Sequence, residues 1–294
     1  CRLVWSEADG LPGLIVDRYG DHLVFQTLTL ALDLRQDLIV QALIELLKPK
    51  SITARNDANV RLAEGMELGK STVYGETPGP FSMKSGGISF HIDVMEGQKT
   101  GLYLDQLDNY QLVGRRAHGL RVLDCFCNQG GFAQACSLAG AREVLALDVS
   151  DPALKLAEAN AQASGATLTT VSANAFDWLK AAESRGEKFD LIVLDPPSFT
   201  RNKGSVNDAL RGYKEIHLRA LKMLEPGGLL MTFSCSHHVS LGEFYKCALD
   251  AAVDAKRTMR LVERYGQRSD HPILVGIPET EYLRGYAFEV VGSW

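Results

Sequence analysis

An apolar pair, Val122-Leu123, runs into Asp124, and a glycine pair, Gly130-Gly131, follows just before a helix predicted to begin near Phe132. This Val122 to Ala133 stretch constrains the fold more than any other. It reads as a parallel strand, a tight turn and a helix, the βα corner beyond whose carboxyl edge doubly wound sheets hold their ligands. Two adjacent glycines carry no Cβ and let the backbone approach a ligand closely. Downstream, Leu145-Ala146-Leu147-Asp148 ends a second strand in an acid that suits a ribose diol. The dinucleotide fingerprint G-x-G-x-x-G is absent, which disfavours a nicotinamide cofactor.

The 294 residues suffice for one large domain plus a smaller one. No apolar run reaches the ~18 to 20 residues of a membrane helix and no signal-peptide pattern opens the chain, so a cytoplasmic location with no membrane partner is expected. Cys1 stands where a Met would, which leads to the expectation that the numbering starts inside a longer gene product. A net charge of −5 argues against a broad basic nucleic-acid surface, so the basic groups of any RNA contact are expected to be local or to lie in a part of the gene product outside this sequence. Six cysteines form no C-x-x-C pair and have no His at zinc spacing, which predicts buried thiols in a reducing compartment, with Cys235 the candidate exception, and no metal site.

Residues 1–72 read as a small α+β domain. Leu14-Ile-Val16 and Leu23 to Thr29 form strands around an Asp17 to Asp21 hairpin turn. A helix capped by Asp33 then presents Leu34, Leu38, Ala42, Leu46 and Leu47 on one face. Residues 73–118 read as a β-hairpin and linker helix, and the paired apolar strands of 72–94 are candidate surfaces for a homodimer. In the linker, Glu96-Gly-Gln-Lys-Thr-Gly101 misses the phosphate-loop spacing, and reads either as a plain linker or as polar cover (Lys99, Thr100, Tyr103) for a cofactor. Residues 119–294 alternate strand and helix. Strands are expected at 120–124, 143–148, 167–171, 189–194, 228–234, 272–277 and 285–291, which makes a seven-stranded mixed α/β sheet.

An acid at the end of the first strand with glycines after it resembles the S-adenosylmethionine corner of class I methyltransferases, a Rossmann-like fold. On that reading Asp124, Phe126, Asn128, Gly130 and Gly131 form the corner, Asp148 with Val149 takes the ribose, and Asp195 also lines the cofactor site. Asn174 offers its carbonyl to the adenine amino group beside Ala175, with Asp177 as an alternative. The fourth strand enters Asp195-Pro-Pro-Ser-Phe199, whose prolines fix an extended turn aiming the carboxylate into the crevice. The fifth ends in Ser234-Cys235-Ser236. Carbon 5 of cytosine is a poor nucleophile, and attack by a thiolate at carbon 6 activates it. A Cys235 nucleophile with Asp195 at N3 is therefore a candidate catalytic pair, and a small buried residue is the plainer reading of Cys235. Arg201, Lys203, Arg211 and Lys214 are candidate phosphate contacts, with Phe199 or Tyr213 stacking on a base. Lys256, Arg257, Arg260, Arg264 and Arg268 form a second basic cluster, and His237-His238 follow the cysteine.

Taken together, the chain resembles the bacterial 23S rRNA cytosine-C5 methyltransferase family of the large-subunit methyltransferase I group. The resemblance rests on Gly10 to Asp17, Glu96 to Gly101 with Asp105-Gln106, Asp124 to Phe132, Asp195 to Phe199, Arg211-Gly-Tyr-Lys214, Phe233 to Ser236 and Asp270-His-Pro272. It implies S-adenosylmethionine as cofactor, 23S ribosomal RNA as partner, 5-methylcytosine as product, Cys235 as nucleophile and Asp195 as its partner at the base. Members of that family usually carry an N-terminal PUA domain, a small RNA-binding barrel. The corner reads Cys-Asn-Gln-Gly-Gly where many relatives have Ser-Tyr-Thr-Gly-Gly, and Asn174 stands where an aspartate is common. Amino-group or ring-nitrogen methylation of RNA is the rival enzymatic reading, because D-P-P also serves that chemistry. A non-catalytic cofactor- or RNA-binding scaffold is the rival from another class.

Overall fold

The computed structural model describes residues 1–200 and 203–294, and its contacts divide the chain into two compact units. Residues 1–84, 90–106 and 268–281 form the first; 85–89, 107–267 and 282–294 form the second.

The first unit is a five-stranded sheet in sequence order: β1 (Arg2–Trp5), β2 (Leu14–Tyr19), β3 (His22–Thr27), β4 (Ser51–Asn56) and β5 (Gly69–Gly75). A short turn of helix, α1 (Leu30–Asp33), and α2 (Gln36–Leu47) cross over between the parallel pair β3 and β4. Two expectations fail here. Asp17 is not in a turn: β2 continues to Tyr19, which pairs with His22 across Gly20-Asp21 alone. Asp17 is instead fully buried, its carboxylate taking a bidentate pair of 2.9 Å bonds from Arg2 and one of 2.6 Å from Thr100 Oγ1. Those distant partners neutralise a residue whose local preference is the turn. The second failure concerns α2. Leu34, Leu38 and Leu46 are 75%, 64% and 79% exposed, while Leu43 is buried with Ile39, Val40, Ile44 and Leu47 packed beside it. Two apolar stripes overlap at Leu47. Leu34 of the expected one precedes α2, which leaves Leu38, Ala42 and Leu46 against the larger apolar area of Ile39, Val40, Leu43 and Ile44. The larger stripe faces the sheet because burial scales with apolar area.

Next come a two-stranded hairpin, β6 (Phe81–Ser85) and β7 (Ile88–Ile92), turned by Gly86-Gly87, and the helix α3 (Leu107–Gly114). Both turn glycines have positive φ, as tight hairpins require.

The second unit holds β8 (Arg121–Cys125), α4 (Gly131–Leu138), β9 (Glu143–Asp148), α5 (Asp151–Ser164), β10 (Thr169–Ser172), α6 (Ala175–Ser184) and β11 (Phe189–Leu194). It continues with α7 (Val206–Met223), β12 (Leu224–Ser234), α8 (Leu241–Asp254), β13 (Arg257–Gly266) and β14 (Arg284–Ser293). Its seven strands lie in the order β10-β9-β8-β11-β12-β14-β13, all parallel except β14. The order reverses between β8 and β11, so their carboxyl ends open a crevice where such sheets hold ligands. Ser150 caps α5 as its sequence suggests, accepting from Ala153 N, with Pro152 in the first turn and Gly165 closing the helix.

The strand expected at 272–277 is absent from the sheet. That segment carries Val275 95% exposed in the first unit, and the sixth strand in chain order is β13. β13 reads Arg-Thr-Met-Arg-Leu-Val-Glu-Arg-Tyr-Gly. Its charges suit a sheet edge, where they block further pairing, and they also hide the strand from an apolar-run criterion.

Candidate active site

Backbone geometry at the end of β8 is unusual. Phe126 and Asn128 have φ of 64° and 48°, in the left-handed region that non-glycine residues rarely adopt. The turn is held from the neighbouring strand: Cys127 N donates to Leu147 O at 3.0 Å and Asn128 N to Asp148 Oδ2 at 2.9 Å. Asp148 Oδ1 accepts from Ser150 N at 3.0 Å, so this carboxylate braces two loops, each oxygen taking one such bond among the described residues. Gly130 needs its φ of 75°. Gly131 is required for another reason than the one its sequence suggests: a Cβ there would lie 2.5 Å from the Tyr110 ring, so the second glycine admits a packed tyrosine.

Asp124 lies beneath this turn with no exposed surface. Its Oδ2 accepts from Ala133 N at 2.9 Å in the first turn of α4, and its Oδ1 is buried without a hydrogen-bond partner among the described residues. Burial pushes its carboxyl well above the usual carboxylate range; the Ala133 amide opposes that shift, and the charges of Asp195 and Asp148 add to it. An orphaned buried carboxylate oxygen is expensive, and a bound ammonium group removes the cost. The amino group of a methionine moiety fits this position.

Val149 is exposed beside Asp148, and Ala175 is buried at the start of α6. Asn174 is the N-cap of that helix, its Oδ1 accepting from Phe176 N at 3.0 Å and Asp177 N at 3.4 Å. The oxygen expected to accept from adenine is therefore engaged in capping, and the amide NH2 is the group left to meet a ligand. Lys99, Thr100 and Tyr103 belong to the first unit. The Thr100 hydroxyl is buried there between Asp17 and Tyr19 Oη at 2.8 Å, and Lys99 Nζ sits 5.6 Å from the Tyr103 ring centre.

Asp195 and Cys235 occupy the tips of the adjacent parallel strands β11 and β12, where Leu194 pairs with Thr232. Both are half-buried. The other cysteines of this unit, Cys125, Cys127, Cys136 and Cys247, are buried, and burial raises the thiol of each, Cys247 to about 12. Ser234 and Ser236 are both fully buried and both hydrogen-bonded to Tyr213 Oη at 2.9 Å. Ser236 Oγ also accepts from Phe199 N at 3.2 Å and lies 3.2 Å from Ser198 Oγ, tying the D-P-P-S-F loop to the cysteine loop. This buried hydroxyl cluster escaped the sequence reading; serines spaced two apart around a strand-end cysteine were its only local sign.

Several expected RNA contacts are otherwise occupied. Tyr213 has no exposed surface and cannot stack on a base, and Phe199 packs 4.7 Å from Tyr213 and 5.8 Å from Phe176. Arg211 pairs with Asp208, Lys214 with Asp254, Arg257 with Glu225, Arg260 with Glu289 and Arg268 with Asp270. His237 stacks on Tyr282 at 5.6 Å, and both His237 and His238 are exposed. Arg201 and the Lys203 side chain lie outside the described residues.

A mostly parallel seven-stranded sheet with this corner and this orphaned acid defines the class of S-adenosylmethionine-dependent methyltransferases, and the model of that family matches residues 69–277. A ribosomal RNA large subunit methyltransferase I from Erwinia tasmaniensis is 40% identical over 99% of this chain and 74% of its own length. The enzyme of the same name from Aeromonas hydrophila is 43% identical over 97% and 73%. A solved S-adenosylmethionine-dependent methyltransferase from Streptococcus mutans shares the fold, with a TM-score of 0.85 at 23% identity over 98% of this chain and 74% of that one. The chain belongs to the ribosomal RNA large subunit methyltransferase I family, and its cofactor is S-adenosylmethionine.

Proposed function

We propose that this chain methylates carbon 5 of a cytosine in 23S ribosomal RNA, with Cys235 as the nucleophile and Asp195 beside the base. Relatives named for the large-subunit RNA support the substrate class. The observation that carries the chemistry is the half-exposed Cys235 at the tip of β12, one strand over from Asp195, while every other thiol of that unit is buried among the described residues.

S-adenosylmethionine, when bound, supplies an electrophilic methyl group. The Cys235 thiolate forms a bond from sulfur to carbon 6, and the ring electrons move onto carbon 5, which would then take the methyl as its bond to the sulfonium breaks and S-adenosylhomocysteine leaves. Asp195, protonated or bridging a proton, holds N3 and stabilises the electron density that builds up there. Loss of the carbon 5 proton to solvent or a base and cleavage of the carbon–sulfur bond release product and regenerate the thiolate.

Cys235→Ala is expected to bind S-adenosylmethionine with unchanged affinity and to form no 5-methylcytosine. Release of tritium from RNA tritiated at cytosine carbon 5 measures this directly, and undiminished release by the variant would rule out the nucleophile. Mass spectrometry of product nucleosides separates this reading from amino-group or ring-nitrogen methylation.

A further inference from the structure

An extended chain sends residues i and i+2 to the same side. At the tip of β12 this puts the Ser234 and Ser236 hydroxyls together on Tyr213, and the residue between them, Cys235, is left partly exposed. The Tyr213 ring cannot follow a moving loop: it is wholly buried, edge-on to Phe244 at 5.1 Å and against Phe199 at 4.7 Å.

Counting protons gives the hydroxyls a direction. Ser198 donates to the Thr200 carbonyl at 3.1 Å, so it accepts from Ser236. Ser236, already accepting from Phe199 N, then takes its second bond from Tyr213. Tyr213 in turn accepts from Ser234, whose oxygen receives the Ser236 amide at 3.3 Å. Each hydroxyl proton has an acceptor, and the chain runs from Ser234 through Tyr213, Ser236 and Ser198 to a carbonyl. Such a chain polarises its members in one sense and resists rearrangement. It joins three pieces of backbone: α7, the loop after β11 that carries Asp195, and the loop after β12 that carries Cys235.

We propose that Tyr213 is a positioning residue that fixes the separation and facing of Cys235 and Asp195 through Ser236, without touching the base. The inference rests on the reading of Cys235 as nucleophile, and gives that reading its supporting frame. Covalent attack needs the sulfur within bonding reach of carbon 6 while the carboxyl meets N3, and small displacements of either strand tip spoil both.

Tyr213→Phe deletes the hydroxyl and keeps the ring. The test uses the 294-residue chain with large-subunit RNA tritiated at cytosine carbon 5, from cells deleted for this gene, offered both protein-free and as assembled subunits. We expect kcat for tritium release to fall roughly 10- to 100-fold, with the KM for RNA and the Kd for S-adenosylmethionine changed by less than about twofold. Ser236→Ala should reproduce the loss, and the double variant should be no worse than the poorer single by more than about twofold, because both remove one clamp. Unchanged kcat in either variant overturns the inference, as do losses that multiply in the double variant or a KM and Kd that deteriorate along with kcat. Should Tyr213→Phe not fold, Ser236→Ala decides by the same criteria. A parent chain that methylates RNA but releases no tritium sinks the cytosine reading and this inference with it, whereas a parent and variant that release tritium equally sink the inference alone.

Discussion

Asp124 is the residue at which stability and the proposed cofactor contact oppose each other most directly. Its carboxyl is raised well above the usual range, chiefly by burial. A carboxyl with a raised folded-state pKa binds more protons folded than unfolded, so stability is greatest below the unfolded value of ~3.9 and declines as pH rises toward the folded value. Asp124→Asn removes the charge and keeps an oxygen for the Ala133 amide. Without cofactor, the variant should therefore melt no lower than the parent at pH 8 and show a weaker decline of melting temperature between pH 5 and 8. Its affinity for S-adenosylmethionine should drop by roughly 10- to 100-fold, the worth of a charge-assisted hydrogen bond. Thermal melts across pH and calorimetric titration read the two effects separately, and unaltered affinity would remove Asp124 from the cofactor site.

At the scale of elements, α2 shows what periodicity can and cannot settle. Leu43→Ala should cost about 2 to 5 kcal/mol, as for a buried leucine, while Leu38→Lys and Leu46→Lys should each stay within about 0.5 kcal/mol. Urea denaturation checks this, and a large loss from Leu46→Lys would mean that the exposed stripe is covered in solution. The corner at Asp124 was legible because it is made of contiguous chain: strand, turn glycines and helix start follow within a few residues. The same holds for the order of βα units and for the Ser150 cap. What stayed hidden depends on partners far along the sequence. Asp17 looks like a turn residue until Arg2 and Thr100 surround it. β13 looks like a polar segment until its place at the sheet edge explains its charges. Tyr213 looks like an aromatic free to stack until Ser234 and Ser236 close over its hydroxyl.

For the whole molecule, charge bears on how RNA is held. The chain carries 31 Lys and Arg against 36 Asp and Glu. Many of the arginines also have carboxylate partners, among them Arg116 with Glu263, Arg142 with Asp190, Arg219 with Glu183 and Arg260 with Glu289. A phosphate that recruits such an arginine must displace its acid, so the exchange gains little and few phosphates are neutralised. Each neutralised phosphate adds roughly 0.7 to 0.9 to the slope of log K against log salt. Binding of ribosomal RNA by this chain should therefore show a shallow slope, of magnitude about 2 to 3, with shape and base contacts supplying much of the remainder. Fluorescence titrations between about 50 and 200 mM salt measure it over the range in which a strongly basic binder loses orders of magnitude. A slope steeper than about 5 would show that a basic surface dominates, and the ion pairs would then have to open on binding. Charge reversal separates those cases: Glu289→Lys frees Arg260 and adds a cation on the same strand pair. It should steepen the slope by up to about one unit per charge if that face meets the backbone, and leave it unchanged if RNA lies elsewhere.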